Sequence, residues 1–582
     1  MAYNPANPVI IQSDKSVLLE VDNDHYEKAR DALARFAELE KSPEHIHTYR
    51  LTPLSLWNAA ASGMTAERII DALHKYAKYD VPGNVIVDIT DYVSRYGRLK
   101  LIRDDSGRDL LLVSDDPALI AQVNNHKTLQ KFVIEPLGST TLKVDPARRG
   151  HIKQALVRFG FPAEDLAGYV DGAHLPLNLL TWTRSNAAFT LRHYQQEAAD
   201  IFYADGQAHG GSGTIVLPCG AGKTMVGMAA MAKLQVNTLI LTPSTVAARQ
   251  WKAELLDKTD LREQDIGEYT GLAKEIRPVT IATYQILVYR KSRTQPFKHF
   301  DLFQKRDWGL IIYDEVHLLP APVFRFTAEI QARRRLGLTA TLVREDGLEE
   351  DVFSLIGPKK YDVPWKDLER QGWIATAECH EIRIPLPEDH RMIYAMATKR
   401  EKITIAANNP DKIPILRDLL KKHHQDTILV IGTYLEQLKT IARQFDLPLI
   451  TGKTGVKKRE ELFEKLRKGE ICTLVISKVG NFSIDLPDVS VAVQISGTFG
   501  SRQEEAQRLG RILRPKHNGL IAHFYTLVSR DTREQDFAAK RQLFLTEQGY
   551  HYDILYDDEI AAYQPTLLSL QAQEKQYLLT AD

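Results

Sequence analysis

The sequence predicts an α/β chain of two doubly wound lobes preceded by small α+β domains, and three observations carry that prediction. Beyond Thr190, apolar strand-like runs alternate with helical segments at Thr238-Leu-Ile-Leu, Val279-Thr-Ile-Ala, Leu310-Ile-Ile-Tyr and Leu336-Gly-Leu. A second series repeats the alternation at Thr427-Ile-Leu-Val-Ile, Leu447-Pro-Leu-Ile, Cys472-Thr-Leu-Val-Ile, 489–495 and 521–525. Such alternation marks parallel sheets covered by helices on both faces. Finally, Leu217-Pro-Cys-Gly-Ala-Gly-Lys-Thr224 lies between the strand-like Thr214-Ile-Val and an apolar helical pattern of Met225, Val226, Met228, Ala229 and Ala232. It is a Gly-rich turn at a strand-to-helix junction.

With 582 residues the chain exceeds a single core, and the usual domain size divides it into roughly three to five domains. Lys plus Arg equals Asp plus Glu at 75 each, so net charge offers no argument for a nucleic-acid partner and any electrostatic footprint is local. The three cysteines, Cys219, Cys379 and Cys472, lie far apart. That excludes a disulfide framework, a Cys-rich zinc site and a four-cysteine iron–sulfur cluster within the chain, and suits a reducing compartment. The start, Met-Ala-Tyr-Asn-Pro, lacks a basic region followed by an apolar core. No apolar run approaches the ~18 residues that span a bilayer. The expectation is a cytoplasmic protein with no membrane partner.

Residues 1–125 read as a small α+β domain, with strands at Val9-Ile-Ile, Ser16-Val-Leu-Leu-Glu, Lys100-Leu-Ile and Leu110-Leu-Leu-Val. Helical patterns run over 26–39 and 66–76, and Thr52 and Thr65 stand where N-caps belong. His45 and His47 read as surface loop histidines, because no cysteine or carboxylate stands at metal spacing. Residues 126–185 form a further unit, with strands at Phe132-Val-Ile-Glu and Thr141-Leu-Lys-Val and a helix over 149–159. Its Arg148, Arg149, His151 and Lys153 make either a solvated face or a DNA-facing patch. The first lobe is expected at 186–365 and the second at 366–545, with a charged, helix-forming segment near 386–412; 546–582 reads as a polar helical tail.

The chemistry starts at the Gly-rich turn. Backbone N–H groups from Gly220 to Thr224 converge at a helix N-terminus, Lys223 neutralises β and γ phosphates, and the Thr224 hydroxyl ligates Mg²⁺. Leu217, Pro218, Cys219, Gly220, Ala221 and Gly222 complete the cradle, with Leu217 standing where a small residue is usual. Leu310-Ile-Ile-Tyr-Asp-Glu-Val-His317 supplies the acids. An apolar strand ending in Asp314 puts a carboxylate near Mg²⁺, and Glu315 beside it polarises the attacking water, with His317 closing the motif.

Together, Gly-Lys-Thr and Asp-Glu-Val-His resemble a superfamily 2 helicase, whose lobes are RecA-like and whose cofactors are ATP and Mg²⁺. Leu191-Arg-His-Tyr-Gln195 resembles the Q motif that reads adenine, which implies nucleotide contacts for Arg192 and Gln195. Thr242-Pro-Ser-Thr and Thr283-Tyr284 resemble the first lobe's nucleic-acid-contacting motifs. Leu338-Thr-Ala-Thr341 resembles motif III, implying that Thr339 and Thr341 couple hydrolysis to DNA. Val479-Gly-Asn-Phe-Ser-Ile-Asp485 resembles motif V and Gln507-Arg-Leu-Gly-Arg511 motif VI, which implies nucleotide contacts for Asp485 and Gln507 and places Arg508 and Arg511 on the γ-phosphate.

The resemblance narrows to the XPB family of DNA-repair and transcription helicases. Arg344, Glu345 and Asp346 match its charged triplet, and its phosphate loop also begins Leu-Pro-Cys-Gly. Residues 386–412, with Tyr394, Lys399, Arg400 and Ile403 leading to Asn409-Pro-Asp-Lys, resemble its thumb insertion. Residues 126–185 are similar to its damage-recognition-like domain, and the stretch from His45 to Trp57 to its leading domain. The resemblance, over residues 1–545, implies 3′–5′ unwinding of forked DNA, or of duplex with a single-stranded 3′ end, in DNA repair. It also admits a double-strand translocase that remodels bound proteins, or a recruitment module for a nuclease. Two departures stand out: Asn481 occupies an acidic position of motif V, and the extended C-terminal region of the eukaryotic members is missing, which suits a bacterial or archaeal-like form.

Overall fold

The computed structural model describes residues 3–42, 45–218, 220–290, 297–331, 333–340, 349–363, 368, 371, 373, 377–477, 489–497, 522–547 and 550–560. The chain divides into two units, Met1–Trp365 and Lys366–Asp582.

In the first unit a seven-stranded sheet runs in the order Ile266–Tyr269, Val279–Thr283, Thr238–Thr242, Leu310–Asp314, Arg334–Thr339, Ser212–Val216, Lys359–Asp362. Every pairing is parallel. Strands 212–216, 238–242 and 279–283 are buried along their whole length, as covered parallel sheets require. Strand 334–339 lies between 212–216 and 310–314, so the carboxyl ends that carry the Gly-rich turn and Asp314 are next-but-one neighbours. Ligands of open α/β sheets bind at that edge.

Ahead of this lobe stands a four-stranded antiparallel sheet, ordered Val9–Ile11, Ser16–Glu20, Ile46–Arg50, Glu38–Lys41. Thr52 and Thr65 cap helices Pro53–Ala61 and Ala66–Tyr76, accepting from the backbone N–H groups of Ser55 and Arg68. The helix expected over 26–39 stops at Leu33, and Glu38–Lys41 instead forms an edge strand. Pairing with Ile46–Arg50 outweighs the local helical pattern there. His47 is likewise no loop histidine: it lies buried on that partner strand, 3.1 Å from the Tyr26 hydroxyl. Burial and then the Arg30 charge bring it down to about 4, so the ring is neutral. His45 is exposed beside Asp22, at 2.9 Å.

A five-stranded sheet follows, ordered Val133–Pro136, Thr141–Val144, Leu110–Val113, Leu99–Arg103, Ala163–Asp165. Two of its strands precede residue 125, so the division drawn at 125/126 cuts through one hydrogen-bonded sheet. The cause is the shared core, in which Leu99, Leu101, Leu110 and Leu112 pack with Leu142, Val144, Ile152 and Leu156.

Helix Arg149–Phe159 corrects both readings for two members of the basic run, Arg149 and Lys153, while Arg148 just ahead of the helix stays exposed. Arg149 and Lys153 are only 3% and 6% exposed. Asp165 pairs with both, at 2.6 Å to Arg149 Nη2 and 2.9 Å to Lys153 Nζ. Lys153 also donates to Gln331 Oε1 of the first lobe at 3.0 Å. The approach is close because Gly150 lacks a side chain: a Cβ there would stand 2.5 Å from the Ala328 carbonyl oxygen. Burial pushes the Asp165 carboxyl up, and the two cations more than reverse this, holding it below the carboxylate range. Burial, with Arg335 and Arg149 nearby, outweighs Asp165 at Lys153 and brings that ammonium down to about 8. One carboxylate therefore serves two buried cations.

The second unit holds another seven-stranded parallel sheet, ordered Leu449–Ile450, Thr473–Ser477, Ile428–Gly432, Val491–Gln494, Ala522–Ser529, Ala377–Ile384, His551–Tyr556. Helices Glu388–Met396 and Lys399–Ala407 follow strand 377–384. The polar helical tail is corrected in part: after helix Arg533–Glu547 the chain adds edge strand His551–Tyr556, where Leu555 packs into the sheet's core. Among the described residues no helix is long and apolar enough to cross a membrane.

Removing one partner of a buried ion pair strands the others, at about 3–5 kcal/mol. Asp165→Asn is therefore expected to lower the unfolding free energy of the first unit by that order, and with it the denaturation midpoint, while leaving DNA binding of the folded protein intact. An unchanged midpoint with salt-dependent loss of DNA binding would restore the DNA-facing reading of Arg149 and Lys153.

Candidate functional site

Strand Ser212–Val216 runs into the Gly-rich turn through Leu217, which is buried and whose N–H donates to the Thr339 carbonyl at 3.0 Å. Gly220 and Gly222 take φ of +82° and +83°, where only glycine sits without strain. A Cβ on Gly222 would also fall 2.5 Å from Gln195 Nε2. Helix Lys223–Leu234 begins directly after Gly222, placing Lys223 and Thr224 in its first turn.

The segment assigned to adenine grips this turn. Tyr194 Oη and Gln195 Nε2 both donate to the Ala221 carbonyl, at 2.7 and 2.8 Å. Gln195 Oε1 accepts from the Arg192 N–H at 3.0 Å, and Arg192 Nη1 donates to Tyr194 Oη at 3.0 Å. Both ends of the Gln195 amide are thus engaged with backbone, so in this arrangement it braces the turn.

Asp314 ends its strand with its carboxylate accepting from Trp251 Nε1 at 3.0 Å, and its carbonyl accepts from Tyr284 Oη at 2.7 Å. Glu315 then turns at φ +50°, a left-handed conformation that costs a non-glycine residue of order 1 kcal/mol or more. Its Oε1 is 3.3 Å from Lys223 Nζ, and its Oε2 is 3.6 Å from His317 Nδ1. His317 is buried with Nδ1 2.5 Å from Thr339 Oγ1. Lys223, Glu315, His317 and Thr339 therefore form one chain of contacts from the Gly-rich turn to the next strand.

Electrostatically the two acids differ. Burial and then the neighbouring Glu315 charge push the Asp314 carboxyl up, more strongly than Trp251 and Lys223 lower it. Glu315 is also raised by burial, but Lys223 and His317 hold it below the carboxylate range. The cation thus sits with Glu315, and Asp314 carries a half-buried charge without comparable relief. A hydroxyl in a helix's first turn and a half-buried carboxylate at a strand end are oxygen donors that fit a hard dication such as Mg²⁺.

Three residues assigned to DNA coupling face inward. Thr242, Thr283 and Thr339 are buried. Thr242 Oγ1 donates to the Ser244 and Ala282 carbonyls at 3.2 and 3.3 Å, and Thr283 Oγ1 accepts from the Ile286 N–H to cap helix Tyr284–Leu287. These hydroxyls close strand ends within the lobe. Lys399 and Arg400 do project from the exposed first turn of helix Lys399–Ala407. Cys219, Thr341, Arg344, Glu345, Asp346, Asn481, Asp485, Gln507, Arg508 and Arg511 lie outside the described residues. Trp251 escaped the sequence reading, although a buried indole N–H needs an acceptor and its helix follows the Thr242 strand.

Comparison with known proteins covers most of the chain. A family model described as ERCC3/RAD25/XPB C-terminal helicase matches residues 368–581, one described as helicase conserved C-terminal domain matches 9–137, and one described as type III restriction enzyme, res subunit, matches 188–344. A protein of Kineococcus radiotolerans named DNA 3′-5′ helicase XPB is 54% identical over 553 residues, covering 95% of this chain and 97% of that protein. Its namesake in Mycobacterium tuberculosis is 55% identical, covering 95% and 98%. The general transcription and DNA repair factor IIH helicase/translocase subunit XPB of Enterocytozoon bieneusi is 34% identical, covering 98% and 96%.

Asp314 has its folded pKa raised above the unfolded value. Its ionised form therefore costs stability above that folded pKa, and the cost disappears as pH falls into the ordinary carboxylate range. Asp314→Asn is expected to stabilise the nucleotide-free protein by about 1–2 kcal/mol at neutral pH, with the gain shrinking under acid, while ATP turnover is lost. Melting curves across pH, beside steady-state hydrolysis, check both halves; a variant less stable than the parent at neutral pH would contradict the electrostatics.

Proposed function

Because the chain belongs to the XPB family of helicases, we propose that it is an ATP-dependent 3′–5′ DNA helicase. Its substrate is forked DNA or duplex with a single-stranded 3′ end, opened in DNA repair, and it works in the cytoplasm. The observation that carries the chemistry is the ion pair of Lys223 with Glu315.

Lys223 has one ammonium group and two claimants. When ATP enters the turn, its β and γ phosphates draw Lys223 away from Glu315. Losing that counter-ion raises the basicity of Glu315, which then takes the proton of the attacking water. Phosphate capture thereby arms the general base. Thr224 and Asp314 are the residues that would hold Mg²⁺, which when bound neutralises charge on the phosphates. Arg508 and Arg511 are proposed to stabilise charge building up on the transferring phosphoryl. Contact from Glu315 through His317 to Thr339 offers the hydrolytic state a route toward motif III.

Hydrolysis alone opens no base pair, since separating strands must offset stacking of about 1.4 kcal/mol per step. Arg344, Glu345 and Asp346 and the helical pair carrying Lys399 and Arg400 are proposed to grip or wedge the fork. A double-strand translocase is the second reading, favoured by the name helicase/translocase subunit that relatives at 30–34% identity carry.

The engine is tested by two variants. Lys223→Ala is expected to abolish DNA-stimulated hydrolysis. Glu315→Gln should keep ATP affinity and lower turnover by roughly 10²–10⁴, the range for a general base. Parent-rate turnover in either would reject the assignment.

Replacing Arg344, Glu345 and Asp346 together by Ala is expected to abolish most strand displacement on a fork and leave most DNA-stimulated ATPase. Parallel loss of both, with a lowered melting temperature, would make the triplet a structural element only. Triplex displacement by the parent without strand displacement would select the translocase.

A further inference from the structure

We propose that Glu378, His380 and His523 form a binding site for a transition-metal dication of the zinc class, built into the sheet of the second lobe. Glu378 and His380 stand two residues apart on strand Ala377–Ile384, so both side chains leave the same face of the sheet. His523, on strand Ala522–Ser529, is the register partner of Glu378. One donor atom from each residue lies within 4.8 Å of the other two.

The distances favour a shared ion over direct pairing. Glu378 Oε2 is 3.4 Å from His523 Nδ1 and 3.6 Å from His380 Nε2. Both separations exceed an ordinary N–H···O bond of about 2.9 Å. They are close to the ~3.3 Å that separates neighbouring donors around a tetrahedral zinc ion with bonds of about 2.0 Å. Glu378 is 2% exposed and His380 1%. Neither Glu378 carboxylate oxygen has a hydrogen-bond partner among the described residues, although a buried anion demands one. A cation between the carboxylate and the two imidazoles meets that demand.

The donor chemistry narrows the ion. Two imidazole nitrogens and one carboxylate suit zinc, cobalt or nickel, whereas calcium and magnesium call for oxygen alone. Behind His380, the Asp553 carboxylate lies 3.4 Å from Nδ1, on the adjacent strand His551–Tyr556. A carboxylate on the outer nitrogen is the arrangement that orients a metal-binding imidazole. His423 is held elsewhere, with Nδ1 2.8 Å from Asp426 and Nε2 2.9 Å from the Tyr525 hydroxyl. The ion would join two neighbouring strands directly and a third through Asp553, a structural staple at their amino-terminal ends.

The test uses the full chain, stripped with chelator and titrated with Co²⁺, then Zn²⁺. One equivalent of cobalt is expected to give the d–d absorption of a tetrahedral site, bleached by zinc, and zinc should raise the melting temperature. His380→Ala and His523→Ala should each abolish the band, and Glu378→Gln, which keeps the side chain's shape, should weaken cobalt binding at least about tenfold. Asp553→Asn should weaken it by roughly 10- to 100-fold. Circular dichroism establishes that each variant is folded. No tetrahedral band in the parent, a thiolate charge-transfer band placing the ion on cysteine, or full binding by the folded Glu378→Gln variant would overturn the proposal.

Discussion

The nucleotide site depends on a single constraint of backbone hydrogen bonding: in a parallel sheet all strands end on the same edge. Strands Ser212–Val216, Arg334–Thr339 and Leu310–Asp314 are consecutive in that order. Their carboxyl ends therefore deliver the Gly-rich turn, Thr339 and the Asp314–Glu315 pair to one place, although 90 positions separate Thr224 from Asp314. The Leu217 N–H on the Thr339 carbonyl carries the ladder beyond the strand itself. Around this fixed edge the deformable parts, two positive-φ glycines and the left-handed Glu315, are braced by the Tyr194 and Gln195 bonds to Ala221 and by Tyr284 on Asp314. Strain at Glu315 persists because its neighbours over-determine it.

The same chain solves the problem of buried charge in three ways. At Asp165 one carboxylate is shared among cations from a single helix, and the surplus ammonium finds Gln331. At Lys223 the cation is lent to Glu315 and leaves Asp314 destabilised, an arrangement expensive for the resting protein and useful only if a dication and a phosphate arrive. At Glu378 two imidazoles stand just beyond bonding distance. Charge whose partners, ionic or neutral, all lie within the fold reads as architecture; charge left without such a partner points to something that binds.

What could be read from the sequence follows the range of the forces involved. Period-two and period-3.6 patterns are local, so the strands flanking the Gly-rich turn and the caps Thr52 and Thr65 were legible. Strand Ala377–Ile384 was not, because Glu378, His380, Glu381 and Arg383 break its apolar pattern, and what makes them tolerable lies about 145 residues away at His523 and beyond. Lys359–Asp362 was missed for a different reason: an edge strand needs little apolar surface, and Lys-Lys-Tyr-Asp resembles a loop. Arg149 and Lys153 were misread because their partner Asp165 follows the helix and Gln331 is 178 residues from Lys153. At the site, the residue types that bear on phosphate chemistry were legible. The direction in which Thr242, Thr283 and Gln195 point was not, since a strand-end hydroxyl or amide can turn inward or outward without changing the pattern.

That inward turn bears on how the first unit transmits force. The unit that contains the nucleotide edge also contains both smaller sheets, and the joints between them are close-packed. Helix Arg149–Phe159 meets the lobe at Gly150 with no side chain between backbones. Trp57 and Tyr96 of the leading residues pack their rings at 6.4 and 6.2 Å from that of Phe353, and the Asn58 side chain accepts from the Lys359 N–H at 2.9 Å on the lobe's edge strand. Packed interfaces of this kind move as blocks. A displacement begun at the Lys223–Glu315 pair and passed through His317 to strand Arg334–Thr339 would therefore reach the smaller sheets as rigid-body motion, with no hinge needed inside the unit.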